Sequence, residues 1–445
     1  MNVYSNLGFF EKQLRKSCGY SLENVSHDIG ISKGFLSEAE NGRRILKREA
    51  FTRFLERYGI DFSLDESPAN MAQSLLNDFV LAWIDRDFAD EEKIKRRLAH
   101  NRPILQKSLG CLHLLLIDIF LSVHRYAQVP DVRMKRYLEE IDDYLPFFLP
   151  DEQALINFLK GFEAVKKKKY PAALDRYEKA LNILDRKQWP ELEGIIKFHL
   201  AHVLGTTVSF FQAYKTVQEA RSIFVNHNNH IRMLLCDNNS ASYLISMQEF
   251  EAARECIRNM QRCQKRWFHD NQTYSNTTTL MILALTLEEE FGQAVQFVKD
   301  HPFPIENGFI GNLSLIPYCH YRLGQYEECL KVIEDLSKEK PTADDCALFE
   351  ILKCILKKDS KGVEKAKLKM AQICSRQMNW CMLMVLYQLM IAYYESENEI
   401  ELLNEAYRQQ VQIWRHKMPE YHKNLKQQDP KVHTQTGVAS NKVGV

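Results

Sequence analysis

Apolar positions in the opening sixty residues recur three and four apart: Leu7, Phe10 and Leu14, then Leu22, Val25 and Ile29, then Phe35, Leu36 and Ala39, then Phe51, Phe54, Leu55 and Tyr58. That spacing predicts four or five short amphipathic helices. Gly19, the run Gly30-Ile31-Ser32 and the pair Asn41-Gly42 fall where those helices must stop, because glycine accepts the left-handed conformation that ends a helix. Ser21 and Ser32 stand at helix starts, where a hydroxyl accepts from a backbone amide of the first turn.

Helical periodicity continues without a clear repeat from residue 65 to 150, as in LLNDFVLAWI and MKRYLEEIDDYL. Ser67-Pro68-Ala69 is the expected hinge after the first unit. Beyond residue 150 the chain repeats itself. Gly161, Tyr170, Ala173, Tyr177 and Ala180, with the phrase YPAALDRYEKAL, resemble the tetratricopeptide pattern of small residues where two antiparallel helices cross. Related phrases surround Ala213, Ala253, Ala294 and Cys329, so the crossing residues step by 40, 40, 41 and 35. Each pair of such an array leaves an apolar face that only the next pair covers, which implies an α-solenoid with a concave groove. A last hairpin beyond Trp380, ending near Lys426, should cap it, and the polar tail from Gln427 to Val445 is expected to be disordered. The expected organisation is therefore all-α: a first unit over 1–64, a linker helix and degenerate repeats over 65–150, a right-handed repeat domain over 151–426, and the tail.

Composition agrees with this reading. The chain has 445 residues, too many for one compact core, with 45% apolar and 26% charged residues and only 17 Gly and 13 Pro. Its 11 cysteines include no C-x-x-C pair, so a zinc ribbon or redox dithiol is not indicated, and a reducing cytoplasm is the expected setting. The N-terminus lacks the apolar run and small-residue site of a signal peptide. Leu109 to Val123 is too short to span a membrane and includes His113 and Asp118, so it reads as a buried helix. The net charge of +1 leaves local patches to decide the partners.

The segment LRKSCGYSLENVSHDIGISKGFLSEAENGRR resembles the phage-repressor helix-turn-helix of the Cro/XRE type, through the Gly30-Ile31-Ser32 turn, the Leu36-Ser37 pair and the terminal Glu40-Asn41-Gly42. By that resemblance the helix from about Ser32 to Glu40 enters the major groove of double-stranded DNA. Lys33, Ser37 and Glu38 then occupy base-reading positions, since Lys can donate to guanine and Glu can accept from cytosine. Arg43, Arg44 and Lys47, with Arg48 close behind, would meet phosphates. The resemblance gives Arg15 and Glu40 a structural ion pair. Glu38 could equally be a solvated acid. Leu22 departs from the pattern, where glutamine is common, and Gly34 offers no side chain to read a base.

A repressor-type domain followed by such repeats resembles the peptide-responsive quorum-sensing regulators of Gram-positive bacteria that include Rgg, PlcR, PrgX and NprR. The resemblance implies a homodimer on a two-fold symmetric operator, with a short imported signalling peptide in the repeat groove. In these repeats the first helix of each pair lines the concave side. Counting back from the crossing residues reaches His199 and His202, then Asn238, Asn239 and Ser242, then Asn276 and Thr279, then Tyr318 and Arg322. Asparagine amides both donate and accept, which suits an extended peptide backbone, and Asn238 is the leading candidate.

The i, i+3 spacing of His199 with His202, and of His227 with His230, could seat a metal, but no third ligand accompanies either pair. The run Lys166 to Lys169 reads as a solvated turn. No phosphate loop, nucleophile elbow or H-E-x-x-H motif is present, so an enzyme, a metal and a cofactor are not expected. The competing function is a repeat protein that binds and inhibits another protein, with DNA binding weakened; Leu22 and Gly34 keep it open.

Overall fold

The computed structural model describes residues 7–124, 138, 141–267, 271–301, 314–339 and 341–417. Within them the chain is built of helices, with no strand. The first four are α1 (Gly8–Ser17), α2 (Leu22–Asp28), α3 (Lys33–Glu40) and α4 (Arg48–Tyr58). They form where the apolar spacing places them. Ser21 and Ser32 cap α2 and α3, each hydroxyl accepting from the amide three residues on at 3.1 Å. Gly19, Gly30 and Gly42 take φ values of 73° to 75° at the helix ends, conformations that cost an L side chain energy. Phe10, Val25, Ile29, Leu36, Phe51 and Phe54 close one core with almost no exposure.

Next come α5 (Glu66–Asp85), α6 (Phe88–Gln106) and α7 (Cys111–His124). The expected hinge is absent: Ser67 and Pro68 form the first turn of α5, with Asp65 accepting from the Ser67 amide at 3.1 Å. Proline suits that turn because its missing N–H would have no partner there. Helix α7 is the buried segment anticipated at Leu109 to Val123. Much of MKRYLEEIDDYL lies outside the described residues, and its end is a 3-10 turn, Ile141–Phe147.

Helices α8 (Pro150–Lys166) to α21 then alternate as first and second members of successive pairs: α9 (Tyr170–Ile183), α10 (Leu192–Thr207), α11 (Phe210–Asn226), α12 (His230–Ser246), α13 (Phe250–Trp267), α14 (Asn271–Leu287), α15 (Phe291–Asp300), α16 (Leu315–Arg322), α17 (Tyr326–Leu336), α18 (Ala343–Leu356), α19 (Ser360–Gln377), α20 (Trp380–Glu397) and α21 (Ile400–Lys417). Ala173, Ala213, Ala253, Ala294 and Cys329 are all essentially fully buried, one per second helix. The array continues past them to Ala366 on α19 and Ala406 on α21. Gly161 lies so close to Tyr177 that an added Cβ would come within 2.5 Å of the ring. Lys166 to Lys169 are exposed, and Lys168 turns the chain at φ 56°. The described part of the last hairpin ends at Lys417, and the expected tail lies outside the described residues.

The chain divides into two compact units, residues 1–200 with 222–232, and 201–221 with 233–445. In the first, α8 is fixed at its N-terminus. Asp151 accepts from the four amides of Asp185 to Gln188 at 2.7 to 2.9 Å, and Glu152 meets His113 at 3.0 Å with neither side chain exposed. No described helix is long and apolar enough to cross a membrane.

Candidate DNA interface and repeat-face sites

The geometry of α3 is set by a buried ion pair. Arg15 grips Glu40 in a two-pronged contact, Nε to Oε1 and Nη2 to Oε2, both 2.8 Å, and donates a third bond to the Tyr20 carbonyl at 2.9 Å. This is the structural role expected for both residues. Glu11 lies against them, fully buried at 3.6 Å from Arg15. Burial, together with the Glu40 carboxylate, pushes its pKa up to about 9. Gly8 lets α1 approach the end of α3, since an added Cβ would sit 2.1 Å from the Ala39 carbonyl oxygen.

With α3 held this way, its outer surface carries the anticipated side chains. Lys33 is exposed and pairs with Glu23 at 3.1 Å. Ser37 is half-buried. Glu38 pairs with Arg44 at 2.5 Å, and the Arg44 guanidinium lies 5.5 Å from the Phe35 ring centre. The Glu38 carbonyl accepts from the Arg43 amide at 2.8 Å, closing the end of the helix. Lys33 and Arg44 are thus held by acids, whereas Arg43, Lys47 and Arg48, all exposed, make no salt bridge among the described residues. Gly34 has open space around it, so its lack of a side chain reflects no packing demand.

One contact of this domain had no sequence signal. Phe9 meets Tyr144 edge-on at 5.3 Å and Phe147 at 5.8 Å, and Lys12 lies over the Tyr144 ring at 5.3 Å. At Gly42, an added Cβ would come within 2.6 Å of Pro146. The helix-turn-helix is therefore packed on the 3-10 turn that leads into α8.

The repeat-face candidates separate into distinct settings. In the first unit His199 packs against Phe158 and Phe162 at 5.3 and 5.2 Å, beside a cavity of about 470 Å³ whose walls include Trp83, Arg86, Glu91 and Arg232. In the second unit His202 and Ser242 line a cavity of about 170 Å³, together with Ser246 and Trp380. The lysine that ends α21, Lys417, is buried near it, 4.4 Å from the Trp380 ring, and burial lowers its pKa to about 8. Asn238 and Asn239 are half-buried on α12, and the Asn238 Oδ1 is buried with no hydrogen-bond partner among the described residues.

The other candidates fit a groove role less well. Tyr318 is fully buried and its hydroxyl accepts from Arg322 at 3.0 Å, so it is a core residue: counting along a helix gives its face but not its depth. Arg322 lies over the Phe291 ring at 4.6 Å. Thr279 is half-buried, and the Asn276 side chain lies outside what is described. Missed from sequence were Trp83, Phe162 and Arg232. The i, i+4 pair Phe158 and Phe162 was the one available signal, and it reads equally as core. No group of three or more His, Cys, Asp or Glu among the described residues could hold a metal.

Comparison with known proteins places these observations. A helix-turn-helix domain profile matches residues 7–66. No curated protein matches the chain by sequence. Solved structures do match. A Rap protein complexed with competence and sporulation factor has TM-score 0.58 and 14% identity, covering 81% of this chain and 100% of its own. A Rap conjugation gene regulator in complex with a Phr peptide has TM-score 0.51 and 16% identity, covering 79% and 98%. Aspartyl phosphate phosphatase F from Bacillus subtilis has TM-score 0.50 and 16% identity, covering 86% and 99%. The chain thus joins a helix-turn-helix domain to a helical-repeat fold resembling that of Rap proteins.

Proposed function

We propose that this protein is a cytoplasmic, non-enzymatic transcription regulator that binds a two-fold symmetric operator as a homodimer, needs no cofactor, and answers to a short signalling peptide held by its repeats. The observation that carries the DNA reading is the solvent face of α3. Lys33, Ser37 and Glu38 stand on the helix, and Arg43 and Lys47 beside it are not neutralised by any described residue. Phosphate contacts from such cations supply affinity and position, while groove-facing side chains choose sequence. The peptide reading is supported by the unpaired Oδ1 of Asn238, an acceptor that a peptide amide would satisfy. It is further supported by similarity to a regulator whose structure holds a Phr peptide.

A second reading, inhibition of a partner protein by the repeats, is favoured by one feature: Lys33 and Arg44 are already paired with Glu23 and Glu38, which leaves Arg43, Lys47 and Arg48 as the unpaired cations of this surface. Selection of genomic fragments by the purified full chain at physiological salt separates the two. Enrichment of a symmetric site supports the regulator. Uniform weak binding by folded protein, with or without candidate peptides, together with a stoichiometric protein partner, supports the second.

A further inference from the structure

The cavity of about 470 Å³ in the first unit falls in the range of sites that hold small ligands. Its walls are aromatic, with Trp83 from α5 and Phe158 and Phe162 from α8. Its charges are two guanidinium groups, Arg86 and Arg232, against one carboxylate, Glu91. These are not equivalent. Arg232 is buried and donates to the carbonyls of Trp83 and Ile84, both at 2.7 Å, the last turn of α5. It neutralises a helix C-terminus. Glu91 is half-buried and 3.7 Å from Lys95, and burial raises its pKa. Arg86 is exposed at the rim in a left-handed conformation, its guanidinium 5.7 Å from the Phe88 ring centre. It has no carboxylate partner among the described residues.

We propose that this cavity binds a ligand with an apolar, aromatic-sized body and a carboxylate, the body lying between Trp83 and Phe162 and the carboxylate meeting Arg86, and that the helix-turn-helix senses its occupancy through α8. The chemistry is that of either a peptide ending in an apolar residue or a free aryl or branched carboxylic acid. Charge complementarity selects the anion: a charge-assisted bond to a guanidinium is stronger than the neutral one an amide could make. The connection to the DNA-binding domain follows from α8. One helix supplies Phe158 and Phe162 to the wall, and at its N-terminus follows directly on the 3-10 turn whose Tyr144, Pro146 and Phe147 carry Phe9 and Gly42. Phe158 lies about 12 Å along the axis from Pro150. The anchors at Asp151 and Glu152 tie the first turn of α8 to residues 185–188 and to His113, so a shift of the helix is shared with these contacts.

The test uses the full-length protein without DNA, so it stands apart from the operator and peptide-response assays. Four probes are titrated by calorimetry: N-acetylphenylalanine, its amide, a hexapeptide ending in phenylalanine, and that hexapeptide amidated. The expected result is that each acid binds at least tenfold more tightly than its amide. Arg86→Gln should abolish the difference while leaving the fold unchanged by circular dichroism, and Arg86→Lys should restore part of it. A hexapeptide acid more than tenfold tighter than N-acetylphenylalanine identifies a peptide terminus; equal affinities identify a free acid. Equal binding of acids and amides, or no binding by any probe, overturns the site. Hydrogen exchange with the tighter acid bound should change at residues 144–148 and 9–15. Binding without that change overturns the coupling.

Discussion

The pair Glu38–Arg44 makes the proposed DNA-facing surface testable one charge at a time. Arg43 is exposed and unpaired by any described acid, whereas Arg44 is tied to Glu38 at 2.5 Å. If Arg43 contacts a phosphate, Arg43→Ala removes one contact per subunit and two per symmetric site. Each phosphate contact adds about 0.9 to the slope of log affinity against log salt, so the slope should fall by about 1.8. At about 0.15 M salt, relative to a 1 M reference, that is roughly 30-fold in affinity, or about 2 kcal/mol, and it should apply to operator and random DNA alike. Glu38→Gln acts in the opposite sense. It releases Arg44 from a half-exposed pair worth under about 1 kcal/mol and removes a negative charge from the surface. Binding to random DNA should tighten several-fold and its salt slope should steepen.

Glu38→Gln also decides what Glu38 does. An acid that only restrains Arg44 gives the same gain on the operator as on random DNA. An acid that accepts from a cytosine amine gives a gain on random DNA but a smaller gain or a loss on the operator, because the neutral glutamine oxygen still accepts but more weakly than a carboxylate. The assay is fluorescence anisotropy of labelled duplexes over a salt series with the wild type, Arg43→Ala and Glu38→Gln proteins. An unchanged salt slope in Arg43→Ala would refute the placement of this arginine against phosphate.

Other outcomes are expected from the same geometry. Folded Glu11 keeps its proton up to about pH 9 against an ordinary value of 4.5. Its contribution is thus present below pH 4.5 and lost as pH rises toward 9, at about 1.4 kcal/mol per pH unit at most; Glu11→Gln should flatten this dependence in urea melts of the helix-turn-helix at pH 5 and 8. Asn238→Ala should weaken binding of a signalling peptide about tenfold or more without lowering apo stability, because it deletes an acceptor already buried without a partner; calorimetry showing wild-type affinity removes Asn238 from the site. Gly161→Ala forces a methyl to within 2.5 Å of the Tyr177 ring and should cost about 1–3 kcal/mol in chemical denaturation, whereas Gly34→Ala, with nothing nearby, should cost nothing.

The parts legible in the sequence were those fixed by local rules. Glycines with positive φ and serine caps placed α1 to α4, and the crossing residues from Ala173 to Cys329 revealed the repeats because a helix crossing admits only a small side chain. The turns between paired helices were harder to see. They reverse at Lys168, Gln248, Glu289, Lys358 and Asn398, all with φ between 56° and 66°, so the usual glycine signal is missing except at Gly324. At three of these five turns the substitute signal is the aromatic two residues later, Tyr170, Phe250 and Phe291, in the same register as the crossing residues and matched by Tyr326 after Gly324; Lys358 and Asn398 are followed by Ser360 and Ile400 and carry none. The 470 Å³ cavity had no linear signature, since Trp83, Phe158 and Arg232 come from three separated stretches of chain. Ser67-Pro68 misled for a specific reason: proline marks a break inside a helix but a start at its first turn.

The anchoring of α8 bears on how a signal could leave the repeats. A helix transmits a displacement only if its ends cannot relax independently, and packed interiors favour discrete rearrangement over gradual give. The N-terminus of α8 satisfies that condition twice, through four amides on Asp151 and the fully buried pair of His113 and Glu152. The pair also fixes the 3-10 turn, because the second oxygen of Glu152 accepts from the Leu149 amide at 2.9 Å, two residues past Phe147. On the proposed reading, residues that touch neither DNA nor ligand therefore connect the two. His113→Phe removes the partner of a fully buried carboxylate and should cost about 3 kcal/mol or more of stability; in the protein that still folds, each site should bind its own ligand while the effect of one on the other weakens. By linkage the loss must appear equally in ligand affinity with DNA bound and in DNA affinity with ligand bound. Unequal losses would mean that the two measurements do not report one shared equilibrium.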